Sequence, residues 1–299
     1  MNMDLVALQI FKTVAEEGGI TRAAARLHRV QSNITTRVRQ LEDRLGAQLF
    51  LRHKRKLSLT PEGKVLLAYA DQMLRLASEA QMAMRKGAPG GTLRIGTMES
   101  TAATRLPMVL SRYHRAYPEV RLELVTGTSG ALVTKLANGD FEAAFVADPP
   151  HVERFDAQPA FSEELVLITP RSVAAIKTAR QIGDRTVIAF GAGCTYRKRL
   201  EEWLRQADVG PARIMEFQSY HAIVACVASG AGVAIVPRSV LRVISAERQV
   251  QLCPLPARIA KARTMLIWRK GHRSAALEAL CEEVRKSVKS EGRRVKGEE

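Results

Sequence analysis

The chain has 299 residues, of which 46% are hydrophobic and 25% are charged, so it can form about two folded domains and is not compositionally disordered. Lysine and arginine number 46 against 30 aspartate and glutamate, which gives a formal net charge of +16. This charge favours a polyanionic partner, although an acidic substrate or a membrane surface would also fit it.

Three classes of protein are disfavoured by details of the sequence. The four cysteines, Cys194, Cys226, Cys253 and Cys281, form no CxxC pair, so neither a zinc site nor a disulfide scaffold is predicted. The longest uncharged run, 217–237, contains glycines and ends in proline, which argues against a membrane span. The N-terminus has no basic signal region. We therefore expect a cytoplasmic protein with no cofactor, no metal and no membrane partner.

The positive charge is concentrated near the N-terminus. Residues 22–56 hold ten lysines and arginines against two acidic residues, a local charge of +8. A solvated helix face could explain such a run. The helical pattern beneath the charge favours a DNA-binding surface instead.

Apolar residues at helical spacing predict three short helices in this region. The first runs from Leu5 to about Gly18. The second covers 22–28, with Thr21 as its N-cap. The third ends near Gly46, and its inward stripe consists of Ile34, Val38, Leu41 and Leu45.

The opposite face of the third helix is polar and cationic. Its amides and hydroxyls suit hydrogen bonding to base edges in the major groove, while arginines can approach phosphates. The predicted DNA contacts on this helix and just before it are Arg29, Gln31, Ser32, Asn33, Thr36, Arg37, Arg39 and Gln40. Ser32 and Asn33 could instead serve only as helix caps.

A β-hairpin is predicted after the third helix. The short apolar stretches 49–51 and 57–59 flank a basic tip, from which Arg52, Lys54 and Arg55 are expected to contact phosphates or an adjacent minor groove. Helix, turn, helix and basic hairpin in succession predict a winged helix-turn-helix domain over residues 1–60.

A long helix is predicted over 61–86. Thr60 and Pro61 form a strong helix start. Heptad spacing then predicts a seam that pairs with a second copy of the chain and makes a homodimer. The seam residues are Leu66, Ala70, Met73, Ala77, Ala80 and Met84. Packing against its own domain is the alternative. The glycine-rich segment 87–91 is the predicted hinge.

Strands and helices alternate from Thr92 onward, which predicts an α/β domain over 92–299 with a mostly parallel sheet. The predicted strands are 93–97, 120–125, 143–146, 186–190, 214–217 and 233–236, and the predicted helices are 103–117, 131–138, 196–206 and 220–229. Strands 164–168 and 264–268 are expected to cross between two lobes, and a final helix, 275–289, returns to the first. The lobes are 92–163 with 269–290, and 169–263. The cleft between them is the expected ligand site.

The chain resembles the LysR-type transcriptional regulators over nearly its whole length. The pattern is most specific between residues 23 and 63, where it comprises Ala23-Ala24, Leu27, Gln31-Ser32, Val38, Leu41-Glu42, Leu45-Gly46, Leu49-Phe50, Arg52 and Leu59-Thr60-Pro61-Glu62-Gly63. Further matches are Leu106-Pro107, Tyr117-Pro118, Leu122, Leu124, Leu136, Gly139 and the run 230–237. Thr35 and Thr36 depart from the serine and arginine of many members, and Glu142 replaces a common aspartate.

The resemblance implies a two-lobed, periplasmic-binding-protein-like effector domain and a dimer or dimer of dimers on double-stranded promoter DNA. A small co-inducer in the cleft would adjust DNA bending. The family's effector-contacting positions fall here on Ser100, Thr101, Thr128, Ser129, Cys194, Thr195 and Arg197. Backbone N–H groups and hydroxyls at these helix N-termini suit a carboxylate or a similar anion. The uncharged Thr128, Ser129 and Thr195, together with Arg197, suggest a small polar or anionic metabolite, such as a small polar acid or an amino-acid-like compound. Ser100, Ser129 and Thr195 could be helix caps only, and Arg197 a solvated residue.

An enzyme and a nucleoid-like DNA-binding protein are the two rival functions. In an enzyme, Cys194 at a helix N-terminus would have a lowered thiol pKa, with His221 as its base. No paired acid orients His221, so we expect no enzymatic activity and consider a redox or effector contact for Cys194 instead. A nucleoid-like protein would bind all DNA sequences equally, but it has no use for a two-lobed cleft.

Overall fold

The computed structural model describes residues 4–53, 56–84, 88–149, 152–210 and 213–296. The chain separates into two compact units, Met1–Lys86 and Gly87–Glu299. No helix among the described residues is both long enough and apolar enough to cross a membrane.

The N-terminal unit is a winged helix-turn-helix, as predicted. Its elements are α1 (Leu5–Glu17), α2 (Ile20–Arg26), α3 (Gln31–Leu45), β1 (Phe50–His53), β2 (Lys56–Leu59) and α4 (Pro61–Met84). The hairpin strands pair antiparallel from Phe50 with Leu59 to His53 with Lys56. Asp4 caps α1 by accepting from the Ala7 backbone N–H at 2.7 Å.

The second helix begins earlier than predicted. Its N-cap is Gly19, so Thr21 lies in the first turn and is not the cap. Ile20 packs against the cluster that contains Ile34 and Val38. This contact favours a helix that already begins at Ile20. The Thr21 hydroxyl donates to Gln31 Oε1 at 3.4 Å.

The inward stripe of α3 anchors the core of this unit. Ile34 is fully buried, and with Val38 it packs against Ile10, Val14 and Ala23. A second cluster joins α1, α3 and α4 through Leu8, Phe11, Leu41, Leu49 and Leu66. Because α3 is held from one side by both clusters, its opposite face points to solvent.

The start of α4 is locked by Thr60, the predicted N-cap. Its hydroxyl accepts from the Gly63 N–H at 2.9 Å and donates to the Gln48 carbonyl at 2.7 Å. Leu66 and Ala70, two residues of the predicted seam, are buried against α1 in the same domain and are therefore not available to a second copy.

The C-terminal unit is a mixed α/β domain. Its first half contains β3 (Gly91–Thr97), α5 (Glu99–Thr104), α6 (Leu106–Ala116), β4 (Val120–Thr126), α7 (Ser129–Ala137), β5 (Ala143–Ala147) and β6 (Phe155–Thr169). The rest contains β7 (Val187–Ala189), α8 (Thr195–Gln206), β8 (Ile214–Glu216), α9 (Tyr220–Ala228), β9 (Ala234–Pro237), α10 (Arg238–Val243), β10 (Gln251–Pro254), α11 (Ala257–Ala260), β11 (Lys261–Arg269) and α12 (Ala275–Lys296).

The prediction of a mostly parallel sheet was wrong. The large sheet has the strand order β10-β6-β11-β5-β3-β4, and β9 also pairs with β6. Among the described residues of this sheet, parallel pairing is confined to β5-β3-β4, whereas β11 runs antiparallel to both β5 and β6. The chain crosses between the lobes once in each direction, on β6 and on β11, so the two crossing strands must be antiparallel. In the second lobe, β7 and β8 pair parallel.

One predicted helix, 103–117, is two helices in the structure. The break falls at Arg105, which ends α5 and precedes α6. Pro107 occupies the first turn of α6, where its missing N–H costs nothing, whereas the interior of a continuous helix would not accommodate its ring.

Candidate functional site

The outward face of α3 is the first candidate site. The exposed side chains on it are Gln31, Ser32, Asn33, Thr36, Arg39 and Gln40, with Arg29 exposed just before the helix and Arg37 half-buried. The N-cap is Val30, which has no side-chain cap, so neither Ser32 nor Asn33 is the cap residue. The amides and hydroxyls of this face are therefore exposed to an external partner, although Gln31 Oε1 already accepts from the Thr21 hydroxyl.

Some of the positive charge near α3 is tied to α1. Arg26 pairs with Glu16 at 3.0 Å and with Glu17 at 2.9 Å, and these carboxylates raise the pKa of its guanidinium. Arg22 donates to the Glu17 backbone carbonyl. These two arginines brace the helices, whereas Arg39 on α3 and Arg29 just before it are exposed.

The hairpin is attached to α3 by Glu42. This carboxylate accepts from the backbone N–H groups of Leu49 at 2.8 Å and Phe50 at 3.3 Å. Sequence reasoning assigned Glu42 no role, although it belongs to the Leu41-Glu42 pair of the family pattern. Of the predicted hairpin contacts, Arg52 lies on β1 without a described side chain, and Lys54 and Arg55 lie outside the described residues.

The second candidate site is a cleft between the lobes of the C-terminal unit. It lies where the ends of β3 and β4 meet the first turns of α7, α8 and α9. The cavity itself is narrow, with a volume of about 20 Å³, and the space around it reaches about 280 Å³ only when open solvent is included. The lining residues are Met98, Glu99, Ser100, Gly127, Thr128, Ser129, Phe190, Cys194, Thr195, Tyr196 and Tyr220.

Five of the seven predicted effector contacts line this cleft: Ser100, Thr128, Ser129, Cys194 and Thr195. Thr101 is buried beside the cleft and does not line it. Arg197 also lies outside the lining, because its guanidinium donates to Glu201, Glu216 and the Phe190 carbonyl. These carboxylates raise the pKa of Arg197, so it is a braced lobe residue rather than a free cation.

The hydroxyls of the cleft have individual roles. Thr128 is the N-cap of α7, and its hydroxyl also donates across the cleft to the Ala192 carbonyl at 3.4 Å. Ser129 is not a cap, since its Oγ accepts from the Ala147 N–H at 3.2 Å. Thr195 likewise is not the cap of α8 and donates to the Ala147 carbonyl at 3.0 Å. Two of these bonds join the lobes.

Polar atoms without partners mark one side of the cleft. Ser100 Oγ and Tyr196 OH are buried and have no hydrogen-bond partner among the described residues, and neither has Glu99 Oε2. Burial raises the pKa of Tyr196, and contact with Ser100 partly opposes the rise. Sequence reasoning missed Glu99 and Tyr196 as individual contacts, although both stand beside predicted positions at strand ends.

The cysteine of the cleft does not have the properties of a nucleophile. Burial raises the pKa of the Cys194 thiol, and the N–H groups of Arg197 and Tyr196 oppose the rise without reversing it. The pKa lowering predicted for the enzyme alternative was therefore wrong, because desolvation outweighs the helix N-terminus. No cluster of three or more metal-ligating side chains occurs within the described ranges.

These features define a class of protein. A winged helix-turn-helix with a cationic, polar outer helix face, joined in one chain to a two-lobed α/β unit with a polar cleft, is the architecture of a ligand-responsive DNA-binding regulator.

Comparison with known proteins assigns the family. Residues 5–64 match the "Bacterial regulatory helix-turn-helix protein, lysR family", and residues 86–289 match the "LysR substrate binding domain". The chain belongs to the LysR family of transcriptional regulators, a family of DNA-binding proteins with effector-binding domains and without enzymatic activity.

Relatives and solved structures agree over most of the chain. The HTH-type transcriptional regulator YusT of Bacillus subtilis (strain 168) is 40% identical over 88% of each chain, and GltR of the same strain is 36% identical over 90% of this chain and 91% of its own. CbnR complexed with its target DNA superposes with a TM-score of 0.70 at 25% identity, covering 95% of this chain and 100% of CbnR. A full-length OxyR variant from Pseudomonas aeruginosa has a TM-score of 0.69 at 26% identity, with 95% of each chain covered.

Proposed function

We propose that this protein is a sequence-specific regulator that reads promoter DNA with the outer face of α3 and changes its DNA bending when a small polar molecule occupies the interlobe cleft. It acts as a homodimer or a dimer of dimers in the cytoplasm, where its DNA partner lies. The observation that carries the proposal is the orientation of α3, whose apolar stripe is buried while its amides and hydroxyls are exposed.

The local structure of α3 supports Thr36, rather than Thr35, as the base-reading threonine. The Thr35 hydroxyl donates to the Gln31 carbonyl at 3.0 Å, whereas Thr36 is exposed. A free threonine offers a hydroxyl to base edges and a methyl group to the thymine methyl. Asn33, one turn away on the same face, can hydrogen-bond adenine with both amide atoms.

The cleft is suited to a ligand that carries negative charge at one end. The first turns of α7 and α8 face it, and the positive end of a helix dipole attracts anions. The two lobes are already joined by hydrogen bonds next to this cleft, such as the one from Gly130 N–H to Gly193 O at 3.1 Å. A ligand can therefore change how the lobes meet, which is the step proposed to affect DNA bending.

Dimerisation through α4 is supported by a different stripe from the predicted seam. Val65, Tyr69 and Leu76 are exposed, and they lie on one face of the helix at spacings of four and seven residues. Apolar side chains in such a stripe favour a second helix as partner. Two recognition helices would then address two half-sites.

Selection from a random pool of duplex DNA with the full-length chain tests the proposed function. We expect enrichment of one motif with two related half-sites, bound at least about 10³-fold more tightly than random DNA at the same salt concentration. Enrichment of a single half-site would contradict the dimer. Equal affinity for all sequences would contradict the proposed function and favour a nucleoid-like binder.

A further inference from the structure

Glu99 stands out in the cleft because it alone carries a formal charge among the described lining residues. Its carboxylate is half-buried, and Oε2 has no hydrogen-bond partner within the described part of the chain. Burial raises the pKa of Glu99, while the charge of His221 and the Tyr220 backbone N–H oppose the rise. The carboxylate is therefore compensated only in part, because Oε2 is buried without a hydrogen-bond partner among the described residues.

The other polar groups of the cleft need a hydrogen-bond acceptor, whereas Glu99 needs a donor. Ser100 Oγ and Tyr196 OH are hydroxyls in side chains only 2% and 3% exposed, and both line the cleft. They lie near each other, but neither has a partner at full hydrogen-bond distance among the described residues. The N-termini of α7 and α8 add the positive ends of their helix dipoles beside them. One side of the cleft therefore needs a ligand group that accepts hydrogen bonds. Glu99, on the other side, needs a ligand group that donates one.

A simple anion satisfies only one of these two sides. Its carboxylate would gain hydrogen bonds from the hydroxyls and helix N-termini, but it would bring a second negative charge close to Glu99. A simple amine would satisfy Glu99 and leave the donors of Ser100 and Tyr196 unpaired, which costs free energy for each buried group. A ligand with both charges satisfies both sides.

We propose that the cleft ligand is a zwitterionic α-amino acid, with its ammonium group donating to Glu99 and its carboxylate accepting from Ser100, Tyr196 and the helix N-termini. This inference rests on the proposed function, because it assigns the chemical class of the ligand in the same cleft. The tilted pair of Phe190 and Tyr220, with ring centroids 4.7 Å apart, forms an apolar wall for the amino-acid side chain.

The test compares amino acids with matched hydroxy acids that lack the amine. The full-length chain is titrated by calorimetry with the proteinogenic L-amino acids and with L-lactate, L-glycerate, L-malate, L-2-hydroxyglutarate and L-phenyllactate. We expect at least one amino acid to bind, and its hydroxy acid to bind about 10- to 100-fold more weakly, because a hydrogen bond to a charged group is lost. In Glu99→Gln this preference falls to about threefold or less, since the amide carries no charge to pair with the ammonium.

Glu119→Gln is the matched control, since Glu119 is exposed and lies outside the cleft lining. We expect it to keep the full amine preference. The melting temperature of ligand-free Glu99→Gln should equal or exceed that of the unmodified protein, which excludes misfolding as the cause of weaker binding. The inference is overturned if no amino acid binds, if the hydroxy acid binds as tightly as its amino acid, or if Glu99→Gln keeps the preference.

The failure of this inference can be distinguished from failure of the proposed function. A carboxylic acid without an amine that binds the chain and changes its DNA bending would overturn the amino-acid assignment and leave the regulator intact. Loss of sequence selectivity in the DNA selection would overturn the regulator itself.

Discussion

Replacing Gly63 with alanine is expected to destabilise the N-terminal unit by about 3 kcal/mol and to lower its melting temperature by roughly 10 °C or more. The physical reason is steric. A Cβ on Gly63 would lie 2.2 Å from the Leu49 carbonyl oxygen. That oxygen cannot move away freely, because it accepts from the Thr60 N–H at 3.0 Å. The usual gain from replacing a helical glycine by alanine is therefore reversed.

The two tryptophans make this prediction measurable in the full-length protein. Trp203 and Trp268 both belong to the C-terminal unit, so their fluorescence reports on that unit, whereas far-UV circular dichroism reports on both. Gly63→Ala should produce an early loss of helical signal without a change in fluorescence. Gly90→Ala is the control, since its Cβ meets nothing within 4 Å. An unchanged or raised transition in Gly63→Ala would refute the steric account.

Removing the guanidinium of Arg105 is expected to destabilise the C-terminal unit by about 3–5 kcal/mol, because it leaves the Glu163 carboxylate buried without its cation. The Glu163 side chain is only 2% exposed, and it accepts from Arg105 at 2.6 Å and from Ser239 at 2.7 Å. Arg105 lies at the break between α5 and α6, and Glu163 lies on the crossing strand β6. The pair therefore fixes the first lobe to the strand that leads into the second.

Urea unfolding followed by tryptophan fluorescence measures this effect in Arg105→Met. The control is Arg121→Met, because the Arg121 side chain is 77% exposed and its pair with Glu123 should contribute less than about 1 kcal/mol. The double variant Arg105→Met with Glu163→Met should regain most of the lost stability, since no buried charge is then left unpaired. A double variant as unstable as the single one would show that packing, not charge, explains the loss.

The recognition helix could be predicted from the sequence because one local rule decides it. The spacing of Ile34, Val38 and Leu41 places these residues on one face, and tertiary packing agrees with that preference. The N-cap at Thr60 was predictable for the same reason, as a short-range hydrogen bond to Gly63 determines it. Such features need no knowledge of the rest of the fold.

Features that depend on distant parts of the chain were not predictable. Leu66 and Ala70 fit a heptad seam by spacing, but α1 covers them. The sequence does not show whether such residues pack against their own domain or against a second copy of the chain. The direction of β11 against β5 and β6 follows from the path of the chain between the lobes. Arg197 was predicted as a possible contact of a bound anion, but the fold places Glu216, which is distant in sequence, beside its guanidinium.

The cleft was predicted in place but not in chemistry. Strand ends and helix starts located five of its lining residues, because the topology brings such loops together. Glu99 and Tyr196 acquire their importance only from burial without a partner, and burial is a property of the folded chain. Sequence spacing gives no signal for an unsatisfied hydrogen bond.

The most direct test of the account compares Asn33→Ala, Arg29→Ala and Gln9→Ala for binding to the selected DNA site and to random DNA at several salt concentrations. Gln9 is exposed on α1, outside the proposed reading face, and serves as control. Asn33→Ala should lose about 1–3 kcal/mol of discrimination at one base position and keep its affinity for random DNA. Arg29→Ala should weaken binding to both DNAs. It should also reduce the slope of log affinity against log salt concentration by about one. Equal losses on both DNAs for Asn33→Ala, or none, would contradict base reading by α3.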